Sequence, residues 1–507
     1  MSRAGIRTLS SLEYLPPDQR ELRAKRKREE AVLMGLTPDW FRQRKDRRLP
    51  PGLRVGVVGG GLAGLSAAWY LNELGVATTV FEAAESTGGR VKSDALFVPK
   101  KVIELGAELI GENHPLWGLL RLRFNLSLVP LTDDEDYEAA GLNVRMRFGS
   151  ADLSKSEKQA LAKRLTKHCA VIGAEAKSIH ETAPWKSKGA DAFDKISVAA
   201  RLAELCKQDD LARLWFTFTL ANDNCAEVSK QSYLGLLASV SAARMGSDSP
   251  GMLGYWYSTE THRCDGGNDL LAFMLGGKLP DLRLRSSANH IGIDPYPDVR
   301  RPVRIVSTVH DSGGNPIQQR ADEYDFAVLS VPPTTWGSIT VSPPFDPRGW
   351  AIQHGNAVKF FSRYDTEFWK AAKLAPSAKW DQLGSVWEGT DNQGDKPEFD
   401  LTVFSGGPHV RPAKDYPVSL STLYPTGNPT AQRFVDWSTV PFIKTGYAVP
   451  GVGEVMRICR NQMVPHAERL FFAGEQTSSG FFGYMEGALQ SGARAARDIV
   501  ISASLPV

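Results

Sequence analysis

Cysteine is scarce and scattered in this sequence. Five cysteines stand among 507 residues, at Cys169, Cys206, Cys225, Cys264 and Cys459. An odd number, with no C-x-x-C or Cys/His spacing, argues against a disulfide framework and against a metal site, and points to reduced thiols in a cytoplasm. Long hydrophobic runs are missing as well: no stretch reaches the ~18–20 apolar residues that a membrane-spanning helix needs. The N-terminus has no apolar signal-peptide core. Internal repeats, low-complexity tracts and nucleic-acid motifs are absent too. The expectation is a cytoplasmic protein with no metal, no membrane segment and no nucleic-acid partner.

The composition, 42% hydrophobic and 23% charged, is that of an ordinary globular protein. A chain this long exceeds a single simple core, so two or more folding units are expected. The net charge of +3 is unevenly spread. Residues 1–50 hold 13 Lys/Arg against 7 Asp/Glu, which leaves the remainder slightly acidic. Within them, Asp18 to Met34 reads as a charged helix, with Glu21/Lys25 and Arg26/Glu30 at i, i+4 spacing. Residues 1–51 are taken as an arm, closed by Pro50-Pro51, that lies on its own domain or on a partner subunit of a homo-oligomer.

The richest stretch is Arg54 to Arg90. An apolar strand, Val55 to Val58, enters Gly59-Gly60-Gly61-Leu62-Ala63-Gly64; an Ala/Leu-rich helix follows, then a second strand, Ala77 to Phe81, ending at Glu82. This is a βαβ unit with a dinucleotide fingerprint. Gly59 serves the tight turn, Gly61 the approach to a pyrophosphate, and Gly64 the packing of helix on strand. A pyrophosphate is favoured at the helix N-terminus by free N–H groups and the macrodipole. Glu82, 18 positions after Gly64, stands where an acid binds ribose hydroxyls. These features leave the choice between NAD and FAD open.

Gly88-Gly89-Arg90 follows closely. The order of acid, five residues and GGR resembles the FAD-binding amine oxidase superfamily, with Gly89 and Arg90 at the diphosphate or flavin. A second motif lies near the other end. The apolar strand Leu470-Phe471-Phe472 runs into Ala473-Gly474-Glu475, and Gly483-Tyr484-Met485-Glu486-Gly487 opens a long helix. This stretch resembles the C-terminal flavin motif of the monoamine oxidase and L-amino-acid oxidase family. The resemblance implies that Gly474 and Glu475 meet the ribityl chain and that the helix starting at Met485 faces the flavin pyrimidine ring.

The implied fold is α/β plus α+β. A discontinuous Rossmann-like FAD domain (52–115, 262–345 and 445–507) is interleaved with a helical and mixed substrate domain (116–261 and 346–444). Helical periodicity fits Leu153 to Leu237, and strands are expected around Leu282 to Ile293, Val303 to Val309 and Phe326 to Val331.

The resemblance carries further residues. Lys359, in Asn356-Ala357-Val358-Lys359-Phe360-Phe361, corresponds to a lysine that holds water at flavin N5 and serves the reaction with O2. Tyr447 and Tyr484 correspond to an aromatic pair that forms a slot for the substrate amine. Monoamine oxidases carry a flavin-linked Cys before the first of these tyrosines; here Gly446 stands there, so FAD is expected to be held non-covalently. Gly106, Ala107 and Glu108, in Leu105 to Pro115, are assigned to the cofactor, with Glu108 alternatively selecting a cationic side chain. Many L-amino-acid oxidases place a carboxylate-clamping Arg in this loop, where Leu109 now stands, so Arg263 and Arg244 are the remaining candidates. The wording ELGAELIGENHPLW and RCDGGNDLLA resembles bacterial and fungal L-amino-acid oxidases. The expected activity is oxidative deamination of an L-amino acid by hydride transfer to FAD, with O2 reduced to H2O2. A monoamine or polyamine oxidase, or an amino-acid 2-monooxygenase, is the alternative.

Overall fold

The computed structural model describes residues 47–149, 151–243, 251–296, 300–394 and 397–506. The charged helix expected over Asp18 to Met34 lies outside the described residues, as does Arg244.

The central sheet has five parallel strands in the order Leu282–Arg283, Ala77–Phe81, Arg54–Val58, Phe326–Leu329 and Leu470–Phe472. Their sequences, such as Val55 to Val58 and Phe326–Leu329, are continuous apolar runs. Parallel strands read this way because both faces are covered. One face receives the helices Leu62–Glu73 and Met485–Ala503. These two helices touch closely: a Cβ at Gly492 would lie 2.2 Å from the Ala63 carbonyl oxygen, and Ser66 Oγ donates to the Leu489 carbonyl at 2.9 Å. The other face packs on a four-stranded sheet built from Ser286–Ile293, Val303–His310, Pro316–Tyr324 and Thr340–Ser342. Segments from the start, middle and end of the chain thus meet in one sheet.

Opposite this unit stands a seven-stranded sheet in the order Ala431–Asp436, Ala357–Tyr364, Phe399–Gly406, Gly384–Glu388, Leu374–Trp380, Asn143–Phe148 and Ala151–Asp152. Beside it, the helices Lys155–Ala176, Val198–Leu205, Asp210–Asp223, Tyr233–Ala242 and Met252–Thr259 enclose a second core around Trp215, Leu234 and Leu237. Their starts are encoded locally. Ser154 and Glu157 form a reciprocal capping box, and Ser197, Asp209 and Ser232 accept from backbone N–H groups of the first turn.

Two details differ from the sequence reading. The run Leu282 to Ile293 is two strands in two sheets, broken where Arg285 takes a positive φ of 51°. Pro316–Tyr324 forms a strand that hydrophobic patterning does not mark, because it is almost wholly exposed and polar. Among the described residues, no helix is long and apolar enough to cross a membrane.

Candidate active site

The glycine loop forms a floor with an open edge. Gly59 adopts φ +109°, and a Cβ there would come within 2.7 Å of Ser330 Oγ. Gly61 is the N-cap of the helix Leu62–Glu73, and no side chain caps that helix. A Cβ at Gly61 would meet nothing nearer than the Gly88 carbonyl oxygen at 3.9 Å, so space is left above it. Gly89, with φ +60°, lies beside it: a Cβ at Gly89 would sit 3.5 Å from the Gly61 Cα. Uncapped first-turn N–H groups over a glycine floor suit an anionic diphosphate. At the end of the second strand, Glu82 accepts from the N–H of Gly60 at 2.6 Å and of Ala84 at 2.7 Å. Burial pushes its carboxyl above the usual range, against these backbone donors.

Gly64 closes the floor from below: a Cβ there would lie 2.0 Å from the Gly59 carbonyl oxygen. Backbone offers no cheap relief, so Gly64→Ala must open the turn that shapes the cradle. We expect this variant to purify with flavin occupancy reduced about tenfold or more, read as the flavin-to-protein absorbance ratio. Full occupancy would remove Gly64 from the shaping of the site.

Arg90 and Glu475 come from opposite ends of the chain and meet as an ion pair at 2.6 Å. Arg90 also donates to the Gly446 carbonyl at 2.8 Å, and Glu475 accepts from the N–H groups of Gly483 (2.7 Å) and Ala448 (3.2 Å). Burial raises the Glu475 carboxyl, but Arg90, His354 and these donors hold it below the ordinary range. Gly474, at φ +128°, makes the turn between the last strand and this pair. The helix Met485–Ala503 has no side-chain cap. Its first-turn acid, Glu486, turns away and accepts from Leu116 N and Trp117 N at 3.0 and 2.9 Å.

A cavity of about 280 Å³ opens beside this helix start. Among the residues assigned from sequence, Gly106, Ala107, Glu108, Lys359, Tyr447, Tyr484 and Met485 line it. Gly59, Gly61, Gly64, Glu82, Gly89, Arg90, Gly474 and Glu475 are not on its wall; they belong to the cradle. The Tyr447 hydroxyl donates to the Asp223 carbonyl at 2.5 Å, and its ring stacks on Phe404 at 6.5 Å and 11°. The hydroxyls of Tyr484 and Tyr255 are hydrogen-bonded at 2.9 Å. A Cβ at Gly483 would press within 2.6 Å of the Tyr447 ring, so glycine is what allows the two tyrosine-bearing segments to approach. Burial pushes both phenols well above their usual range, so they stay neutral.

Lys359, 5% exposed, donates to Glu108 Oε2 at 2.6 Å and to the Glu104 carbonyl at 2.9 Å. Glu108 is the hub: its Oε1 also accepts from Arg263 Nε at 2.8 Å and Trp387 Nε1 at 2.7 Å. Burial raises the Glu108 carboxyl, yet Lys359 and Arg263 hold it below the ordinary range. Burial pushes neighbouring Glu104 up to about 7. Arg263 also donates from Nη1 to Asp391 Oδ1 and from Nη2 to the Glu388 carbonyl at 2.9 Å. The geometry therefore gives Glu108 a structural partner set beyond the cofactor role expected of it. It also leaves Arg263 without the open fork that a carboxylate clamp requires. Trp387, Asp391, Tyr255, Phe404 and Asp223 were missed in the sequence because no motif marks them; strand register and helix placement bring them here.

The family of flavin containing amine oxidoreductases matches residues 62–500. The chain belongs to this family. As a member it is an FAD-dependent amine oxidase-type oxidoreductase, and the cradle and cavity fit that cofactor. Curated amine oxidases resemble it along most of its length. A probable flavin-containing monoamine oxidase A of Dictyostelium discoideum is 23% identical over 481 residues, covering 88% of this chain and 97% of that protein. The flavin-containing amine oxidase A of Sus scrofa is 24% identical, covering 90% and 87%. Among solved structures, wild-type putrescine oxidase bound to putrescine shares the amine oxidase fold with a TM-score of 0.73 at 18% identity, covering 89% of this chain and 100% of that one. Cyclohexylamine oxidase from Brevibacterium oxydans does so with a TM-score of 0.73 at 19% identity, covering 89% and 99%. These relatives are named for amines, and none of them for an L-amino acid.

Proposed function

We propose that the protein oxidises a primary amine to an imine, which water converts to an aldehyde and ammonia, while O2 is reduced to H2O2. The observation that carries the reading is the cavity wall shared by two neutral, half-buried tyrosines, Tyr447 and Tyr484, and by the buried Lys359. Bound FAD supplies the two-electron acceptor. Tyr447 and Tyr484 shield the amine from water and favour its uncharged form, the form able to lose hydride. Each ring is fixed through its hydroxyl, by the Asp223 carbonyl and by Tyr255. Lys359 retains one ammonium N–H beyond its two hydrogen bonds, available to a water or to O2.

Among the described residues, which do not include Arg244, no carboxylate clamp stands beside the aromatic pair, and this favours an amine over an α-amino acid. Leu109 is apolar, and the Arg263 fork is taken up by Glu108, Asp391 and Glu388. The names of the relatives, putrescine and cyclohexylamine oxidase among them, agree with this preference. Non-covalent attachment follows from Gly446, which offers no thiol; a Cβ there would press within 2.7 Å of the Ala357 Cβ.

The test is a peroxide assay of the purified yellow protein against matched primary amines and L-α-amino acids. Peroxide and aldehyde from amines, with little from α-amino acids, is the expected result. Turnover confined to L-α-amino acids, with 2-oxo acid formed, would overturn the proposal.

A further inference from the structure

We infer that Lys379 is the receptor for a carboxylate at the far end of the substrate amine; the inference rests on the amine-oxidase reading above and specifies its substrate class. Lys359 pairs with Phe404, Phe404 with Ser385, and Ser385 with Lys379, across four adjacent strands. Residues directly opposite in neighbouring strands present side chains on the same face of a sheet. All four line the cavity. Lys359 and Lys379 are therefore the two ends of one row on the cavity wall.

Both lysines are buried, at 5% and 4% exposure, but their surroundings differ. Lys359 is neutralised by Glu108 at 2.6 Å and is hydrogen-bonded to a carbonyl. Lys379, among the described residues, has neither a hydrogen bond nor an ion pair within 4 Å; Asp223 influences it electrostatically from beyond that range. The Lys379 ammonium is not among the fully buried polar atoms left without a partner, so it meets the cavity space. A ligand carboxylate would give it a direct acceptor there, and a charge-assisted hydrogen bond of this kind is among the strong ones.

Spacing then defines the class of ligand. Lys379 lies two strands from Phe404, about 10 Å along the sheet, and Tyr447 stacks on the Phe404 ring. An α-carboxylate, bonded to the reacting carbon, stays at the aromatic pair. An acid several carbons away reaches Lys379. The same lysine repels a second ammonium, so a diamine is disfavoured.

The experiment compares kcat/KM of the flavin-loaded full chain for 6-aminohexanoate, hexylamine and 1,6-diaminohexane, with wild type, Lys379→Met, Lys379→Arg and Lys379→Glu. Wild type should prefer 6-aminohexanoate. The ratio of 6-aminohexanoate to hexylamine should fall about 10- to 100-fold in Lys379→Met. Lys379→Arg should keep the wild-type ratio, and Lys379→Glu should turn the preference to 1,6-diaminohexane. If Lys379→Met does not accumulate as soluble holoprotein, the Arg and Glu variants carry the comparison. An unchanged ratio in the charge-altered variants, or a wild-type enzyme that oxidises hexylamine with no preference for the acid, would show a lysine solvated by cavity water and overturn the inference. Failure of wild type to oxidise any of the three amines would instead overturn the amine-oxidase reading on which it rests.

Discussion

Lys359→Met is expected to slow reoxidation of the amine-reduced enzyme by O2 about 100-fold, while slowing its reduction by amine far less. Reduction of O2 builds negative charge in a site from which bulk water is largely excluded. A fixed cation that is present beforehand stabilises that charge without reorganisation, an effect on the order of 10²–10³ when one such group is removed. Lys359 meets the requirements. It is buried, lines the cavity and is held in one place by Glu108 at 2.6 Å and by the Glu104 carbonyl at 2.9 Å. Methionine preserves most of the side-chain volume, so the strand Ala357–Tyr364 keeps its packing. Anaerobic reduction followed by mixing with O2 separates the two half-reactions. A variant reoxidised at the wild-type rate would take Lys359 out of the oxygen chemistry and leave it as a counter-ion for Glu108.

The cofactor half of the site was legible in the sequence because its geometry is local. Strand, glycine turn, helix and acid follow one another from Val55 to Glu82, and the structure shows what the glycines allow: positive φ at Gly59, open space above Gly61, backbone contact at Gly64. Glu475 and Arg90 were individually visible, but their ion pair spans 385 residues and depends on how the last strand joins the sheet. The substrate half was less legible, for the same reason. Trp387, Phe404 and Lys379 reach the cavity through strand register, and register is decided by pairing between distant segments. Tyr255 and Asp223 come from helices whose apolar periodicity announces a helix, not which polar residue touches the cavity. Arg263 illustrates the limit most sharply. As an arginine beside a glycine turn it suited a carboxylate clamp; in the structure three acceptors consume its fork.

Those acceptors make Glu108 the residue whose loss should cost the protein most stability. Glu108→Ala is expected to destabilise the fold by about 3–5 kcal/mol at pH 7, the range for breaking a buried pair and leaving a charge uncompensated. Here two cations, Lys359 and Arg263, lose a carboxylate at once, although Arg263 retains Asp391. The sign with pH follows from the shift. Burial raises the Glu108 carboxyl, but Lys359 and Arg263 hold it below the ordinary value, so its contribution is present at neutral pH and is lost as pH falls through the lowered folded value. The deficit of the variant should therefore shrink under acid conditions. Glu104 works in the opposite sense. Burial lifts it to about 7, with the Glu108 charge among the causes, so its ionisation erodes stability as pH rises from the ordinary carboxyl range through about 7. Removing Glu108 relieves that repulsion and should bring the Glu104 carboxyl down. Chemical denaturation of wild type, Glu108→Ala, Lys359→Met and the double variant separates a paired charge from mere packing. Coupling predicts a double variant more stable than the sum of the single losses implies, by about 1–3 kcal/mol, because removing Lys359 takes away one of the orphaned cations. Strictly additive losses would mean that the 2.6 Å contact between Glu108 and Lys359 carries no net interaction, and the placement of Lys359 would then have to rest on the packing of its strand alone.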